Sequence, residues 1–456
     1  GLLISHHTFQ HVRGIFDVQP LEPLQVKGVD EPVPVYRVMR AKPRAFRLGR
    51  RGVEGIATPM VGREAELRQL QEAFETAVDE GERQMITIRA EAGVGKSRLL
   101  DEFITWLELR PTSTYYFKGR ARQEMQSQAY SLLRDLFASR FQIQESDRAT
   151  EAQQKMEQGV AAALGTSEAS RMKAHILGKL LGFDLDNSSY LAGVLQDSQE
   201  LRDRALIYMA DYFQALAAHF PVVILLEDIH WADDSSLDLL GRLALAVDRQ
   251  RLLIVGAARP DLWQRRPHWG EGQPWHGRCD LRPLSKRDGR RQVTAILQKV
   301  SNLPESLRDL VADKAEGNPY YAEELVRMLI EDGIILTGGD TWRVELARLT
   351  DWRVPPTLTG ILQARLDSLS PLERTELQRA SVVGRIFWDD TVARLDESGV
   401  GRQTETLYTT FHTLRRREMI FQREPSAFAG TQEYIFKHAL LREVTYESVL
   451  KRLRRV

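Results

Sequence analysis

The sequence predicts an α/β fold, in which helices flank a sheet of parallel strands. Three short apolar segments carry this prediction: Met85–Ile88, Pro221–Leu226 and Leu252–Ala257. The second segment is an uninterrupted apolar run, which is typical of a central parallel strand buried on both faces. The first is followed by Arg98–Ile104, where apolar residues recur at helical spacing. A long polar helical stretch, about 120–215, precedes the second.

The segment between the first strand and its helix has the composition of a phosphate-binding loop. Gly93 and Gly95 allow the backbone to wrap around phosphates, and N–H groups at the start of a helix favour anions. Lys96 would reach the β- and γ-phosphates of ATP, and the Ser97 hydroxyl would ligate Mg²⁺. Ala90 stands where the pattern expects a first glycine, and we predict that its methyl group is tolerated. The nucleotide-binding residues predicted here are Ala90, Glu91, Ala92, Gly93, Val94, Gly95, Lys96, Ser97 and Arg98.

Two adjacent acids, Glu227 and Asp228, end the second strand, at the edge where open α/β sheets bind ligands. In a phosphate-loop ATPase the first acid holds Mg²⁺ through its water shell, and the second orients or deprotonates the attacking water. We therefore predict that Glu227 and Ser97 hold the metal. The predicted catalytic residues are Asp228, Glu227 and Lys96; the alternative for the two acids is a solvated turn. Arg259, after the third strand, either senses a γ-phosphate or is an ordinary surface arginine.

Length and composition limit the classes of protein to which this chain can belong. Its 456 residues correspond to about three domains. The 63 basic and 63 acidic side chains cancel, so overall charge does not favour nucleic acid or an anionic membrane as a partner. The single cysteine, Cys279, excludes a disulfide framework.

Two targeting signals are absent from the sequence. No apolar run approaches the roughly 18 residues that span a bilayer, and the first residues lack the pattern of a signal peptide. We therefore predict a cytoplasmic protein. Because the chain begins at Gly1 and Lys451–Val456 stops inside a helical pattern, we expect it to be a piece of a longer protein.

The predicted ATPase core covers 59–284, and a predicted helical lid covers 285–353. Within the core, Thr114–Lys118 is predicted as a strand near the edge of the sheet. The Asp/Ser cluster of Trp231–Leu240 is predicted to cap a helix at its N-terminus. The lid is helical in pattern, with a turn at Gly317–Pro319.

Residues 354–456 are predicted to form a winged helix. Their pattern is three helices, a two-stranded ribbon of Met419–Gln422 and Tyr434–Phe436, and a final helix. The helix Gln403–Arg417 is the candidate recognition helix for DNA. Its basic end either contacts phosphates or stabilises the helix C-terminus, where cations are favoured.

The first 40 residues are predicted to be a small α+β unit, too short to have a core of its own. A helix-like start is followed by three strand-like segments, Phe16–Val18, Leu24–Gly28 and Val33–Val38. A basic linker, 41–58, joins this unit to the core. Such a stretch is either a solvated linker or a contact for nucleic acid or lipid.

Three motifs, in this order along the chain, carry a resemblance to a known family: Met60–Leu67, Glu227–Asp233 and Gly317–Pro319. Through them the region of about 59–456 resembles signal-transduction (STAND) ATPases of the AAA and Orc1-like bacterial branch. The resemblance implies an ATPase core with a helical lid and a winged helix. It also implies contacts with the nucleotide base from Val61, Gly62, Arg63 and Pro319.

A fourth motif, Phe436–Ala439, resembles the methionine–histidine–aspartate motif that closes NB-ARC switches. This resemblance implies that His438 touches the β-phosphate of ADP in a closed state. The chain has Ala439 where the family often has aspartate, so the second contact of that motif is not carried over. The alternative for His438 is a histidine at a helix start that bonds to nearby backbone.

Residues 1–40 carry a second resemblance, in Leu3–Ser5, Phe16–Val18, Leu21–Leu24, Lys27–Gly28 and Pro34–Val38. They resemble the last helix and strands of a class III adenylate or guanylate cyclase. The metal-binding aspartates of that family lie upstream of this stretch, so no catalytic residue is carried over. We therefore expect cyclase activity only in the full-length protein. Many such proteins continue into helical repeats, which would begin just past the last residue.

Two functional hypotheses follow from these resemblances. In the first, the chain is a slow ATPase switch whose ATP and ADP states, with Mg²⁺, control the linked cyclase. Its partners would be the upstream cyclase domain, the downstream helical repeats and an unknown protein ligand. In the second, it is an ATP-dependent DNA-binding transcription regulator or an origin-recognition-like ATPase that uses the winged helix.

Overall fold

The chain divides into two compact units in a computed structural model. The first unit consists of Gly1–Gly49, Arg63–Glu91 and Gly95–Arg282, and the second of Arg50–Gly62, Ala92–Val94 and Pro283–Val456. Most of the predicted linker, 41–58, lies outside the described residues. The structure describes residues 2–6, 8–9, 16–25, 32–41, 53–54, 56, 58–110, 114–185, 188–191, 197–247, 249–338, 341–349, 352, 355–395, 404–423, 426–428 and 430–449.

The first unit begins with a three-stranded antiparallel sheet in the order β1-β3-β2. Its strands are β1 (Leu2–Ser5), β2 (Phe16–Pro20) and β3 (Val35–Ala41). The predicted helix-like start is wrong for Leu2–Ser5, because these residues pair with β3 along their whole length, whereas His6, Thr8 and Phe9 are helical. Leu24, at the start of a predicted strand, forms only an isolated bridge with Val33, and 26–28 lie outside the described residues.

A five-stranded parallel sheet forms the centre of the first unit, in the order β5-β6-β7-β4-β8. Every residue of β6 and β7 is buried, as continuous apolar runs predict. The segment predicted near the sheet edge is the edge strand β5. The strands are β4 (Gln84–Arg89), β5 (Tyr115–Arg120), β6 (Val222–Glu227), β7 (Leu252–Ala258) and β8 (His276–Asp280).

Eight helices accompany this sheet among the described residues of the first unit. They are α1 (Glu64–Asp79), α2 (Lys96–Glu108), α3 (Ser131–Phe141), α4 (Ala149–Leu164), α5 (Glu168–Leu180), α6 (Ser198–His219), α7 (Asp234–Ala246) and α8 (Asp261–Arg265). The stretch predicted as one long helical region contains four of them, α3 to α6, which bury side chains such as Leu132, Phe137 and Phe213 in a shared core. The predicted N-cap is confirmed, because the Asp233 carboxylate accepts a hydrogen bond from Ser236 N at the start of α7.

The second unit begins with three helices and a short hairpin. These elements are α9 (Lys286–Ile296), α10 (Glu305–Ala315), α11 (Pro319–Glu331), β9 (Ile335–Leu336), β10 (Arg343–Val344) and α12 (Leu346–Leu349). The helical pattern and the turn before α11 are as predicted. The hairpin was not predicted, because two-residue strands are too short to show alternation.

The last part of the second unit contains helices and a three-stranded antiparallel sheet in the order β11-β13-β12. Its elements are α13 (Leu358–Asp367), α14 (Pro371–Val383), β11 (Ile386–Trp388), α15 (Asp389–Arg394), α16 (Thr404–Arg416), β12 (Ile420–Arg423), β13 (Glu433–Phe436) and α17 (Ala439–Glu447). The predicted two-stranded ribbon is therefore joined by a third strand, β11, and a short helix follows that strand. Across the described residues of both units, no helix has the length and apolar character needed to cross a membrane.

A cluster of buried charges holds α11 and α13 together in the second unit. Glu324 of α11 is fully buried and forms ion pairs with Arg327 on the same helix and with Arg365 of α13. Arg327 also lies 2.7 Å from a Glu418 oxygen. Burial alone would raise the pKa of Glu324, but Arg365 and Arg327 outweigh burial and hold this pKa at about 2. Glu324 therefore stays ionised and pairs with two buried guanidinium groups.

We expect Glu324→Gln to lower the free energy of unfolding by about 3–5 kcal/mol at pH 7, because it removes the fully buried negative charge that pairs with two buried arginines. Neighbouring Glu323, whose side chain is 22% exposed and lies 3.4 Å from Arg327, is the matched control. Glu323→Gln should cost less than about 1 kcal/mol. Urea denaturation measures both. Because the folded pKa of Glu324 lies below its ordinary value of 4.5, this stability is present above pH 4.5 and is lost as pH falls towards 2. Equal losses in the two variants would contradict the assignment.

Candidate functional site

The glycine loop lies between β4 and α2, as the sequence predicts. Both of its glycines have left-handed backbone angles, with φ of 81° at Gly93 and 109° at Gly95. Residues with a side chain rarely adopt such angles, so both positions need glycine. Ala90 is buried, and its N–H donates to Ala258 O of β7 at 3.1 Å. The alanine that replaces the first glycine of the pattern thus has a defined place beside the neighbouring strand.

Lys96 is the first residue of α2, and its ammonium group is turned back into the loop. Its Nζ donates to Ala90 O at 2.7 Å and to Glu91 O at 3.0 Å. Burial lowers the pKa of Lys96 to about 8, whereas nearby Asp228 acts to raise it. A phosphate would offer this buried cation a stronger acceptor than two neutral carbonyl groups.

The two acids at the end of β6 have different surroundings. Glu227 is buried, with Lys118 Nζ 3.0 Å from its Oε1 and Arg120 Nη2 paired to its Oε2. Both cations come from β5, whose register places Arg120 beside Glu227. Metal binding by Glu227 stays a prediction, and it requires that Mg²⁺ or its water shell compete with these two ion pairs.

Asp228 is the more accessible of the two acids. Its φ of 56° is left-handed and places it at the start of a single 3₁₀ turn, Ile229–Trp231. Its Oδ2 lies 3.7 Å from Arg120 Nε, and its carboxylate acts electrostatically on Lys96. Half-buried Arg259, after β7, acts on the same lysine with the opposite sign. The first unit therefore brings three predicted site residues, Lys96, Asp228 and Arg259, into one electrostatic environment.

The predicted turn at Gly317–Pro319 contacts the glycine loop within the second unit, which includes Ala92–Val94. Asn318 Nδ2 donates to Ala92 O at 3.1 Å, and a Cβ on Gly93 would lie only 2.6 Å from Asn318 Oδ1. The same Oδ1 accepts from the backbone N–H of Tyr320 and Tyr321 and so caps α11. One amide thus caps a helix and supports the loop.

We expect Asn318→Ala to weaken ATP binding about two- to tenfold, the effect of losing one neutral hydrogen bond to the loop. It should also cost about 1 kcal/mol of stability through the lost cap. Thr357→Ala is the matched control, because Thr357 caps α13 through Gly360 N. It should lower stability alike and leave ATP affinity unchanged. An affinity loss of the same size in both variants, measured by calorimetric titration, would contradict a role for Asn318 in supporting the loop.

The residues Val61–Arg63, predicted to contact the nucleotide base, are divided between the two units. In the second unit, Val61 is buried, and a Cβ on Gly62, with φ of 66°, would lie 2.8 Å from Asp288 Cγ. Arg63, in the first unit, is buried and lies 3.0 Å from Glu66 Oε1. Arg63 also donates to Arg282 O. Contact of Val61, Gly62 and Arg63 with the nucleotide base stays a prediction.

The remaining predicted residues occupy their own local settings. Ser97 is half-buried at the start of α2, and Arg98 pairs with Glu102 at 2.6 Å. Pro319 is the first residue of α11. His438 precedes α17, and its ring stacks on Tyr320 with centroids 3.6 Å apart. Contact of His438 with a β-phosphate therefore stays a prediction.

Three features of the site were not predicted from the sequence. The first is the pairing of Glu227 with β5, which depends on strand order and register. The second is Asn318, which lay inside the quoted turn motif and has a residue type that commonly caps helices. The third is His230, which lay inside the motif Glu227–Asp233 without an assigned role.

Comparison with known proteins finds a family match for a segment that lies mostly in the first unit. Residues 59–255 match the family described as an AAA ATPase domain. An uncharacterized protein of Rhizobium meliloti (strain 1021) is 25% identical over 452 residues, which are 95% of this chain and 39% of the relative. The chain therefore spans about two fifths of that relative's length.

Solved structures show distant similarity. A STAND protein with a tetratricopeptide repeat sensor from Pyrococcus horikoshii aligns with 86% of this chain and 44% of its own, at 12% identity and a TM-score of 0.43. The Aeropyrum pernix ORC1 protein, solved in complex with DNA, aligns with 87% of this chain and 94% of its own, at 15% identity and a TM-score of 0.38.

Proposed function

We propose that this chain is the ATP-binding switch of a longer signalling protein, which binds ATP or ADP with Mg²⁺ at the glycine loop and hydrolyses ATP slowly. One observation carries the proposal: buried Lys96, at the start of a helix that follows a left-handed glycine, shares its surroundings with Asp228 at the end of a buried strand. A lysine, a helix N-terminus and an acid at strand ends are the parts that position and hydrolyse a nucleoside triphosphate.

Each residue of this site has a separate task in the proposal. Lys96 donates to β- and γ-phosphate oxygens in place of its two carbonyl partners, and the Ser97 hydroxyl oxygen would ligate Mg²⁺. The metal, when bound, neutralises phosphate charge. Asp228 accepts a proton from the water that attacks the γ-phosphate, because Glu227 is held by Lys118 and Arg120. Arg259 stabilises negative charge on the γ-phosphate.

The switching part of the proposal rests on the second unit. Asn318 and Tyr320 contact the glycine loop, and His438 stacks on Tyr320, so a change at the loop has a physical route to the helix α17. We assign the elements from α13 to α17 as a winged helix and 1–40 as a cyclase remnant. The chain would control a cyclase in the full-length protein, where 59–284, 285–353 and 354–456 act as core, lid and winged helix.

Two measurements on the purified chain test this function. Phosphate release should show slow ATP hydrolysis that requires Mg²⁺. Hydrogen exchange should show different protection around α11 and α17 with ADP than with a non-hydrolysable ATP analogue. Moving an equilibrium from 1:99 to 99:1 needs about 5.5 kcal/mol of difference between states, which contacts with the γ-phosphate would supply. Identical exchange in both nucleotide states would contradict a switch.

Binding of DNA is the second candidate, because α16 exposes three side chains suited to a nucleic acid: His412, Arg415 and Arg416. A DNA-binding function requires an affinity for duplex DNA that falls steeply with salt, since phosphate contacts release counterions. Affinity that is absent at low salt would leave the switch as the function. Steep salt dependence that is lost in Arg415→Ala would favour the second candidate.

A further inference from the structure

His230 is a buried histidine with an incomplete set of hydrogen bonds. It lies two residues after Asp228, in the 3₁₀ turn Ile229–Trp231, and is 4% exposed. Neither ring nitrogen has a hydrogen-bond partner among the described residues. A buried polar group without a partner costs about 1–3 kcal/mol, so a histidine that only filled space would be a poor choice here.

The turn that carries His230 is fixed from several sides. Arg265 of α8 donates to His230 O at 3.2 Å and to Ala232 O at 2.5 Å. Ile229 packs against β7 so closely that a Cβ on Gly256 would lie 2.8 Å from its Cδ1. The backbone of the turn is thus held by protein contacts, and the imidazole is placed before any ligand arrives.

Three of the four charged groups that act on His230 belong to the candidate nucleotide site: Asp228, Arg259 and Lys96. The fourth is Arg265, which holds the backbone of the turn. Burial lowers the pKa of His230 to about 3, so the ring is neutral and has one N–H donor and one acceptor nitrogen. A neutral donor in a site rich in cations is suited to an anionic oxygen, which would give the N–H an ion as its partner.

We propose that the ring N–H of His230 donates to an oxygen of the γ-phosphate and so distinguishes bound ATP from bound ADP. This inference rests on the proposed function. The assignment to the γ-phosphate follows from position, because the ring shares its surroundings with Lys96, which serves the β- and γ-phosphates, and with Asp228, which serves the attacking water. The bond forms only when the third phosphate is present.

The variant His230→Phe keeps a ring of similar size and removes the donor. Loss of a hydrogen bond to a charged group should weaken a non-hydrolysable ATP analogue tenfold or more, and ADP less than twofold. The melting temperature without nucleotide should stay the same or rise, since an apolar ring replaces a buried polar group that lacks partners. His230→Gln keeps an N–H donor and should retain ATP affinity to within about threefold.

His175 provides a matched control. It is also 4% exposed, but its ring nitrogens lie 2.5 Å from Ser188 Oγ and 2.7 Å from Glu157 Oε1. His175→Phe should lower the melting temperature and leave the ratio of ATP to ADP affinity unchanged. Each nucleotide is titrated by calorimetry into the wild-type chain and the three variants.

The outcomes separate this inference from the proposed function. Selective loss of ATP affinity in His230→Phe supports it. Equal losses for both nucleotides, no loss for either, or a lower melting temperature like that of His175→Phe would each overturn it. If His230→Phe does not fold, a His230→Gln chain that binds the ATP analogue ten or more times more weakly than the wild type, or loses affinity for ATP and ADP alike, would overturn it. A wild-type chain that binds neither nucleotide would instead overturn the proposed function.

Discussion

Asp228→Asn is expected to bind ATP and Mg²⁺ normally and to hydrolyse ATP at least about 100-fold more slowly than the wild type. Loss of a general base typically costs 10²- to 10⁴-fold, and the amide keeps the shape of the side chain while losing its affinity for a proton. The change is also small in structural terms, because Asp228 is half-buried and its ion-pair contact with Arg120 is 3.7 Å long. Single-turnover hydrolysis and calorimetric titration separate the two effects.

Asp234→Asn is the matched control for this variant. Asp234 lies six residues further along the chain, and its side chain is 63% exposed, paired with Arg266. Its substitution should leave both turnover and affinity unchanged. If Asp228→Asn kept full turnover, another group would have to be the general base. Glu227, once released from its ion pairs, would be the first residue to test.

Lys96→Ala is expected to weaken ATP binding about ten- to 150-fold, the range for losing a hydrogen bond to a charged group. Stability should not fall with it. Burial holds the pKa of Lys96 at about 8, which shows that the folded chain disfavours this charge before a phosphate arrives. Removing the ammonium group should therefore leave the melting temperature of the nucleotide-free chain unchanged or raise it.

Lys173→Ala is a suitable comparison, because Lys173 on α5 lies 2.5 Å from Asp211 Oδ2 on α6, among helices that carry no predicted site residue. It should leave ATP affinity unchanged. Equal ATP affinity in Lys96→Ala and the wild type would remove the loop from the binding site.

The strands of the central sheet were predictable where burial leaves a continuous apolar run. Val222–Glu227 and Leu252–Ala258 are buried along their whole length, so their sequences consist almost entirely of apolar residues. β8 was missed because His276–Asp280 is an edge strand whose residues are mostly exposed and polar. Leu2–Ser5 looked helical because four residues cannot distinguish the periods of helix and strand.

The candidate site was predictable to the extent that it is local in sequence. The glycines of the loop and the acids after β6 can be recognised in the sequence, because phosphate and metal binding requires those residue types at fixed spacing. The partners of Glu227 cannot be recognised in this way, because Arg120 lies beside it through the parallel register of two strands that are about a hundred residues apart in the chain. The position of the turn that carries His230 likewise depends on Arg265 and Gly256, which no local pattern connects with it.

The central claim is that the loop at 90–97 binds an adenine nucleotide, and native mass spectrometry of the purified chain tests it most directly. With Mg²⁺ and an ATP concentration equal to the Kd of the wild type, the account predicts the mass of the chain plus one ATP or ADP for about half of the wild-type chains, and for fewer than about one in ten of the Lys96→Ala chains. A wild-type chain that carries no nucleotide, or a Lys96→Ala chain that carries it equally well, would contradict the account.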